Sequence, residues 1–317
     1  MELISVIVPC YNEQESLPLF YKEITAVTDG MKEKNNELEF EYIFVNDGSK
    51  DNTLKLLREL APTDSRVRYI SFSRNFGKEA AMLAGMEASK GDYVVILDAD
   101  LQHPPKLIPQ MYEYVSSGEY DCAATRRVNR KGESKGLSFF ARTFYKIINK
   151  ISQTHIVDGA QDFRFMTRQV VNAILDMPEY NRFSKGIFSW VGFETKFIEI
   201  ENTERAAGTS TWNFHKLFLY SLEGIFAFST APLAIASFLG ILFCLLALVM
   251  IIVTVVKTLC FGESVAGYPT IVCLVSLIGG LQLLCTGISG QYLSKMYLET
   301  KHRPRYIVKE TEKSVKK

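Results

Sequence analysis

Two acidic residues with an amide residue beside them, Asp98, Asp100 and Gln102, are the feature of this sequence that most directly indicates chemistry. They follow an apolar stretch, and in an extended segment alternate side chains project to one side. Divalent cations such as Mg²⁺ prefer carboxylate and carbonyl oxygens, and a bound diphosphate supplies the remaining ligands. We therefore predict a site for Mg²⁺ or Mn²⁺ and a diphosphate. A helix cap before Pro104 would explain one of the acidic residues, but not both.

Two further residues could recognise a nucleobase. Asp47 could accept a hydrogen bond from an imide N–H, and the ring of Tyr11 could stack on the base. Asp47 could equally be a turn residue, because its surroundings, Asn-Asp-Gly-Ser, are typical of turns. The chain has neither a Gly-x-Gly-x-x-Gly fingerprint nor a Walker-type phosphate loop, which disfavours dinucleotides and ATP.

The elements that must position these residues are visible in the hydrophobic pattern up to residue 120. Apolar runs predict strands at 3–8, 42–45, 67–72 and 93–97, and helical periodicity predicts helices at 16–33, 51–60, 77–89 and 104–116. This alternation is typical of an α/β fold with a mostly parallel, doubly wound sheet. Ligands of such sheets bind at the carboxyl ends of the strands, which is where the polar residues above lie.

The chain carries no charge from Ala231 to Val256 or from Tyr268 to Ser294. Each stretch exceeds the ~20 residues that a membrane-spanning helix needs. Residues 301–317 hold seven Lys and Arg, whereas Glu263 is the one charged residue of 258–267. Since cytoplasmic segments are enriched in Lys and Arg, we predict a multi-pass protein of the cell (inner) membrane, with both termini cytoplasmic.

The resulting division of the chain has five parts. It comprises a cytoplasmic α/β domain (1–212), a juxtamembrane amphipathic helix (213–230), transmembrane helices at 231–257 and 268–294, and a basic cytoplasmic tail (295–317). We expect the last dozen residues to be disordered. Residues 137–151 form a second amphipathic pattern, which fits either a helix in the headgroup plane or an ordinary surface helix on the sheet.

Charge and cysteine content exclude some classes of protein. The net charge of +1 argues against a nucleic-acid-binding protein, which usually carries a marked basic excess. The six cysteines lack the paired spacing of metal or redox motifs. We interpret them as reduced packing residues of a protein that faces the cytosol.

Several segments jointly carry a resemblance to a known family. They are VPCYNE (8–13), NDGS (46–49), SRNFGKEAA (73–81), DADLQHPP (98–105), QDFR (161–164), 181–193 and 205–212. On these residues the sequence resembles a family 2, GT-A fold glycosyltransferase of the polyprenyl-phosphate hexosyltransferase branch. That branch contains dolichol-phosphate mannose synthases and bacterial undecaprenyl-phosphate glucosyltransferases. The similarity extends to the two apolar helices that follow the α/β domain.

The resemblance implies an inverting transfer of a hexose from a nucleotide sugar, with UDP-glucose as first choice, to a polyprenyl phosphate. It implies donor-site roles for several residues: Pro9, Tyr11, Glu13 and Asp47 at the base and ribose, Asp98 at the diphosphate, and Asp98, Asp100 and Gln102 at Mg²⁺ or Mn²⁺.

The resemblance also implies an acceptor site. Asp162 would lie at the sugar and acceptor centre with Arg164 and Arg205 beside it, and Arg126 and Arg130 would face the lipid phosphate. The chain departs from the family at two positions. Asn46 stands where a second Asp is usual, and Thr211 stands where Lys is common, which removes one cation from the phosphate-binding region.

Other functions stay open at this point. A homologue that uses GDP-mannose or a UDP-N-acetylhexosamine would carry the same motifs. A non-catalytic membrane scaffold could retain a degenerate transferase domain, although the intact acidic residues argue against it. A processive polysaccharide synthase is disfavoured because the chain lacks a Gln-x-x-Arg-Trp motif. A homo-oligomer is an open alternative to a monomer.

Overall fold

The computed structural model describes residues 1–127, 146, 148–152, 154, 156–177, 179–200, 224–261 and 267–314. Arg130, Arg205 and Thr211 lie outside the described residues. So do most of the two amphipathic segments predicted at 137–151 and 213–230.

Eight strands form one sheet. They are β1 Glu2–Cys10, β2 Leu38–Asn46, β3 Val67–Phe72, β4 Tyr93–Ile96, β5 Cys122–Arg127, β6 Ala160–Thr167, β7 Thr195–Ile200 and β8 Val308–Thr311. Their order across the sheet is β7-β5-β6-β4-β1-β2-β3-β8. The central strands β4, β1, β2 and β3 run parallel, whereas β6 is antiparallel to both β4 and β5. The mostly parallel, mixed sheet confirms the predicted α/β fold.

Eight α-helices are described. They are α1 Leu17–Lys34, α2 Thr53–Leu60, α3 Lys78–Ala88, α4 Ile108–Ser116, α5 Arg168–Leu175, α6 Ser184–Trp190, α7 Ala231–Phe261 and α8 Tyr268–Thr300. A short 3₁₀ helix, Pro105–Leu107, precedes α4. The four strands and four helices predicted up to residue 116 are confirmed, with ends that differ by a few residues.

The core lies on both faces of the central strands. Apolar side chains of β1 are fully buried on either face, including Val6 and Ile7. Helix α3 lies close against this strand, because a Cβ atom on Gly85 would come within 2.2 Å of the Ile7 side chain. A burial pattern without alternation is what a parallel strand covered by helices on both faces requires. The close approach of α3 brings its first residue to the carboxyl edge of the sheet.

The carboxyl-terminal tail is ordered up to residue 314, so the expectation of disorder was wrong. Strand β8 pairs antiparallel with β3. The guanidinium of Arg58 donates two hydrogen bonds to the Glu310 carboxylate, at 2.8 and 2.6 Å. The ring of Tyr306 stacks on Phe72 with 4.8 Å between centroids. Contacts with residues far away in the sequence, rather than local strand propensity, hold this short charged segment in the sheet.

Helices α7 and α8 contact each other and expose large apolar side chains along their length, such as Leu245, Ile251 and Leu283. Within the described residues, one segment is long and apolar enough by length and composition to cross a membrane, Ala231–Thr254 of α7. At the domain end of the hairpin, the Tyr292 hydroxyl of α8 donates to the Ser229 carbonyl oxygen at 2.6 Å.

Tyr306→Ala tests how far the tail stabilises the sheet. The change removes the ring stacked on Phe72 and the hydroxyl that donates to Glu87. Losing a half-buried aromatic ring costs about 1.5 kcal/mol. We therefore expect the melting temperature of the detergent-solubilised protein to fall by roughly 3 to 6 °C. The control is Val308→Ala, an exposed change two residues further along, at the start of β8. Equal melting temperatures for the two variants would mean that the tail contributes no packing energy.

Candidate active site

The pairing of β4 with β6 brings two distant carboxylates together. Ile96 lies opposite Arg164 in this antiparallel pair. Asp98 comes two residues after Ile96, and Asp162 comes two residues before Arg164, so both lie where this pair of strands reaches the edge of the sheet. Asp98 follows β4, and Asp162 lies near the start of β6. The acidic site therefore lies at the carboxyl edge of the central parallel strands, where the sequence predicted it.

Lys78, the first residue of α3, lies between these carboxylates. Its ammonium Nζ is 2.7 Å from Asp98 Oδ1 and 2.9 Å from Asp98 Oδ2. The same Nζ donates to Asp162 Oδ2 at 2.7 Å. The sequence analysis assigned Lys78 no role, although it belongs to the segment SRNFGKEAA that carried part of the resemblance.

Lys78 and Asp162 each favour the charged form of the other. Burial alone would raise the pKa of Asp162, but the ammonium groups of Lys78 and Lys185 hold it well below its usual range. Burial also opposes the charge on Lys78, yet Asp162 and Asp98 raise its pKa above the ordinary lysine value. Opposite charges at hydrogen-bonding distance stabilise each other's ionised forms.

The acidic pair occupies a turn, not the extended segment that the alternation of side chains suggested. Leu101 has a φ of 59°, and the Gln102 N–H donates to Asp100 Oδ1 at 3.1 Å. The side chain of His103 is buried beneath this turn, and its Nδ1 accepts from the Asp98 N–H at 3.4 Å. Burial lowers the pKa of His103 despite the neighbouring Asp98, so the imidazole is neutral at pH 7. The turn, rather than strand geometry, sets where the two carboxylates point.

The donor set of this turn fits a hard divalent cation. The Asp98 side chain is 25% exposed, so its oxygens are accessible to an ion. Across the described ranges, no group of three or more His, Cys, Asp and Glu side chains could hold a metal ion. A cation at Asp98 and Asp100 would therefore take most of its ligands from a bound diphosphate, as Mg²⁺ commonly does.

The loops after β1 and β2 are held together beside this turn. The Asn12 N–H donates to Ser49 Oγ at 3.0 Å, and Asn12 Oδ1 accepts from the Lys50 N–H at 2.8 Å. Pro9 is buried near the end of β1, where it pairs with Val45 of β2, and Tyr11 is 42% exposed at the rim of the two loops. The Glu13 carboxylate accepts from the hydroxyl of Ser16. An exposed ring beside two rigid loops is a suitable surface for a planar base.

Asp47 has a structural partner. Its Oδ1 accepts from the Phe76 N–H at 2.6 Å, and its Oδ2 accepts from the Gly77 N–H at 2.9 Å. Burial raises the pKa of this carboxyl, while the two backbone donors favour its ionised form. Asp47 thus holds the loop that leads into Lys78, and an imide N–H would have to share the carboxylate with these donors.

Arg164 is buried, and Arg126 forms an ion pair. Arg164 is 3% exposed, its guanidinium lies 4.2 Å from the centre of the Phe188 ring, and its Nε has no hydrogen-bond partner. Arg126 is paired with Glu199 of β7. In these contacts the partners of the two guanidinium groups are Phe188 and Glu199, not the carboxylates of Asp98 and Asp162.

Glu79 is a second residue that the sequence analysis missed. Its carboxylate accepts from the N–H of Ser184 at 3.2 Å and also from the Ser184 hydroxyl. Burial, followed by the negative charge of Asp162, raises its pKa to about 7, although the Ser184 donors oppose the shift. Glu79 thereby links α3, next to Lys78, to the first residue of α6.

The raised pKa of Glu79 predicts a pH-dependent stability. Above its ordinary value of 4.5, the folded state binds more protons than the unfolded chain, so stability falls as the pH rises to about 7 and is level above it. Glu79→Gln removes this loss. We expect the melting temperature of the variant, measured relative to that of the wild type, to increase from pH 5 to pH 7. The control is Glu33→Gln, an exposed change on α1, and a difference that is constant from pH 5 to 8 would contradict the assignment.

Comparison with known proteins agrees with this architecture. Residues 5–175 match the family described as Glycosyl transferase family 2. A candidate glycosyltransferase, CsbB of Bacillus subtilis (strain 168), is 47% identical over 97% of this chain and 92% of its own length. The bactoprenol glucosyl transferase of Shigella phage SfX is 41% identical, covering 96% of this chain and 98% of that protein.

A prophage bactoprenol glucosyl transferase homolog of Escherichia coli (strain K12) is 40% identical over 98% of this chain and 99% of its own length. Among solved structures, glucosyl-3-phosphoglycerate synthase of Mycobacterium tuberculosis overlaps 71% of this chain and 78% of that chain, with 18% identity and a TM-score of 0.47. The family match covers more than half of the chain, and the relatives cover nearly all of it. The chain therefore belongs to glycosyl transferase family 2.

Proposed function

We propose that this protein transfers glucose from UDP-glucose to a polyprenyl phosphate at the cytoplasmic surface of the membrane, inverting the anomeric configuration. The observation that carries the proposal is the acidic site of Asp98, Asp100 and Asp162 at the carboxyl edge of the sheet. Relatives named bactoprenol glucosyl transferase, similar over almost their whole length, support both the sugar and the lipid carrier.

The donor half of the site would be formed by the loops after β1, β2 and β4. Pro9, Tyr11, Glu13 and Asp47 would hold the base and ribose of the nucleotide. Asp98, Asp100 and Gln102 would hold a divalent cation, either Mg²⁺ or Mn²⁺, and Asp98 would lie next to the diphosphate. When bound, the cation supplies Lewis-acid stabilisation of the departing nucleoside diphosphate.

The acceptor half would centre on Asp162. A phosphate monoester is largely ionised at pH 7, because its second pKa is about 6, so it needs little help from a general base. The depressed pKa of Asp162 makes it a poor base and a stable negative charge. Such a charge can orient the acceptor or stabilise positive charge that develops on the sugar ring.

Arginines would bring two anionic substrates together at this centre. Arg126 and Arg130 would bind the acceptor phosphate, and Arg164 and Arg205 would lie beside Asp162. Because Arg164 is covered by Phe188, its charge would act through the protein interior unless the ring moves. Guanidinium groups suit this role, since they form paired, charge-assisted hydrogen bonds to phosphate.

The membrane topology proposed for this function is a two-helix hairpin. The segment before α7 lies on the domain, since Phe228 contacts Phe183. After α8 ends at Thr300, the chain returns to β8 in the same sheet. A chain that leaves one domain and returns to it crosses the bilayer an even number of times. We therefore assign α7 and α8 to the spans predicted at 231–257 and 268–294, with both termini cytoplasmic.

Transfer from a panel of labelled donors tests the function. Purified protein is incubated with undecaprenyl phosphate and labelled UDP-glucose, UDP-N-acetylglucosamine or GDP-mannose, with Mg²⁺ or Mn²⁺. We expect label from UDP-glucose to become extractable into organic solvent, and EDTA to abolish the extraction. Extraction from another donor alone would change the assigned sugar. No extraction from any donor would favour the scaffold interpretation.

Asp100→Ala should reduce glucose transfer on the order of 100-fold or more, because it removes a ligand of the metal that stabilises the leaving group. Membrane insertion should be unchanged, since Asp100 lies far along the chain from α7 and α8. The control is Asp29→Ala, which removes an exposed carboxylate on α1. Near-wild-type turnover of Asp100→Ala with metal present would remove Asp100 from the metal site.

Arg126→Ala should raise the KM for undecaprenyl phosphate about tenfold, the effect of losing one charge-assisted hydrogen bond. The KM for UDP-glucose should change little. The matched control is Glu199→Ala, which removes the ion-pair partner of Arg126 while leaving the arginine in place. Steady-state kinetics with each substrate varied separately would distinguish the two sites, and equal losses for donor and acceptor would contradict the acceptor role.

A further inference from the structure

Lys78 donates hydrogen bonds to two carboxylates of the candidate site. Its ammonium contacts both oxygens of Asp98 and one oxygen of Asp162, all within 2.9 Å. Both carboxylates would otherwise be neighbouring like charges on paired strands. The ammonium thus takes the place of a cation at the carboxylate that the proposed function assigns to the metal.

The Lys78 ammonium and a divalent cation would compete for Asp98. Both oxygens of this carboxylate already lie within 2.9 Å of Nζ, and two cations held by one carboxylate repel each other. A metal on Asp98 would therefore favour release of the ammonium from that carboxylate.

The structure gives Lys78 the freedom to move. Its side chain is 40% exposed, and a lysine ammonium sits on a flexible four-carbon stem. Asp162 can retain the ammonium after the contact between Nζ and Asp98 breaks, because Asp162 lies in β6 and accepts from Nζ through its own oxygen. The backbone of Lys78 meanwhile stays fixed, since Asp47 holds the preceding Phe76 and Gly77.

We propose that Lys78 is a displaceable counter-ion that makes metal binding depend on the nucleotide. Without nucleotide, Lys78 competes with the metal for Asp98. When the metal enters with a nucleoside diphosphate, the ammonium leaves Asp98, stays on Asp162 and donates to an oxygen of the diphosphate. The new contact compensates for the lost one, so metal and diphosphate bind cooperatively. This inference rests on the proposed function, because it takes Asp98 as a metal ligand.

Manganese binding to the full-length protein in detergent tests the inference. The free Mn²⁺ signal in electron paramagnetic resonance gives the affinity for Mn²⁺ alone, with UDP, and with uridine, which has no phosphate. In the wild type, we expect weak binding of Mn²⁺ alone, a marked gain with UDP and none with uridine. Lys78→Met should tighten binding of Mn²⁺ alone about tenfold and reduce the gain from UDP by a similar factor, within the usual range of coupling between two ligands.

Lys78→Arg gives an independent test, because it should change the affinity for Mn²⁺ alone in the direction opposite to Lys78→Met. A guanidinium keeps the charge and can bind a carboxylate with two parallel hydrogen bonds, so it should compete more strongly and weaken binding of Mn²⁺ alone severalfold. If Lys78→Met does not fold, this variant decides the question. The control is Lys106→Met on the 3₁₀ helix, which removes an exposed positive charge that follows the turn of Asp98 and Asp100 along the chain.

The outcomes separate the inference from the function. If the wild type binds neither Mn²⁺ nor UDP, the proposed function fails and the inference fails with it. If the wild type binds both but the gain from UDP is unchanged in Lys78→Met, the function stands and the inference is overturned. Unchanged or tighter Mn²⁺ binding in Lys78→Arg also overturns it, as does an effect of Lys106→Met equal to that of Lys78→Met.

Discussion

The constraint on which the site depends is electrostatic. The pairing of β4 with β6 brings Asp98, which follows β4, and Asp162 of β6 to one edge of the sheet, and like charges held close together repel unless a cation lies between them. Lys78 supplies that cation from a third element, α3. The same requirement makes this position suitable for the metal ion of the proposed function, because a cation there would meet carboxylates that already need a positive charge beside them.

Much of the surrounding fold serves to fix that position. Helix α3 approaches β1 closely because Gly85 has no side chain to collide with Ile7. Asp47, at the end of β2, then holds the loop before Lys78 through two backbone N–H groups. Asp47 is therefore placed to affect the position of Lys78, in addition to the nucleotide contact proposed for it. A substitution there would loosen the lysine in addition to any effect on base recognition, so loss of donor binding in such a variant would not by itself identify a contact to the base.

The sequence was sufficient for the features that depend on local pattern. Buried parallel strands appear as apolar runs, and the polar residues that follow β4 could be placed at a sheet edge from that pattern alone. The role of Lys78 could not be predicted in this way, because its partners are 20 and 84 residues away and depend on the register between β4 and β6. The turn at Leu101 was missed because alternating side chains suggest an extended chain, whereas a left-handed residue in the middle reverses that geometry. Strand β8 was missed because four residues with a charged pattern carry no strand signal without β3 beside them.

The ordered tail adds to the contacts that attach helices α7 and α8 to the domain. Near its end, α8 already contacts the domain through Glu299, which accepts from the N–H groups of Tyr180 and Asn181. With β8 in the sheet and Tyr306 stacked on Phe72, the chain is held on the domain at both ends of the hairpin. The Arg58 pair with Glu310 adds a contact from α2. A domain that is attached at both ends of the hairpin tilts less relative to the hairpin than a domain attached through one linker. If α7 and α8 span the bilayer as proposed, this restriction would limit changes in the height of the α/β domain above the membrane, which would favour productive encounter with a lipid phosphate in the way that any fixed orientation of reactants does.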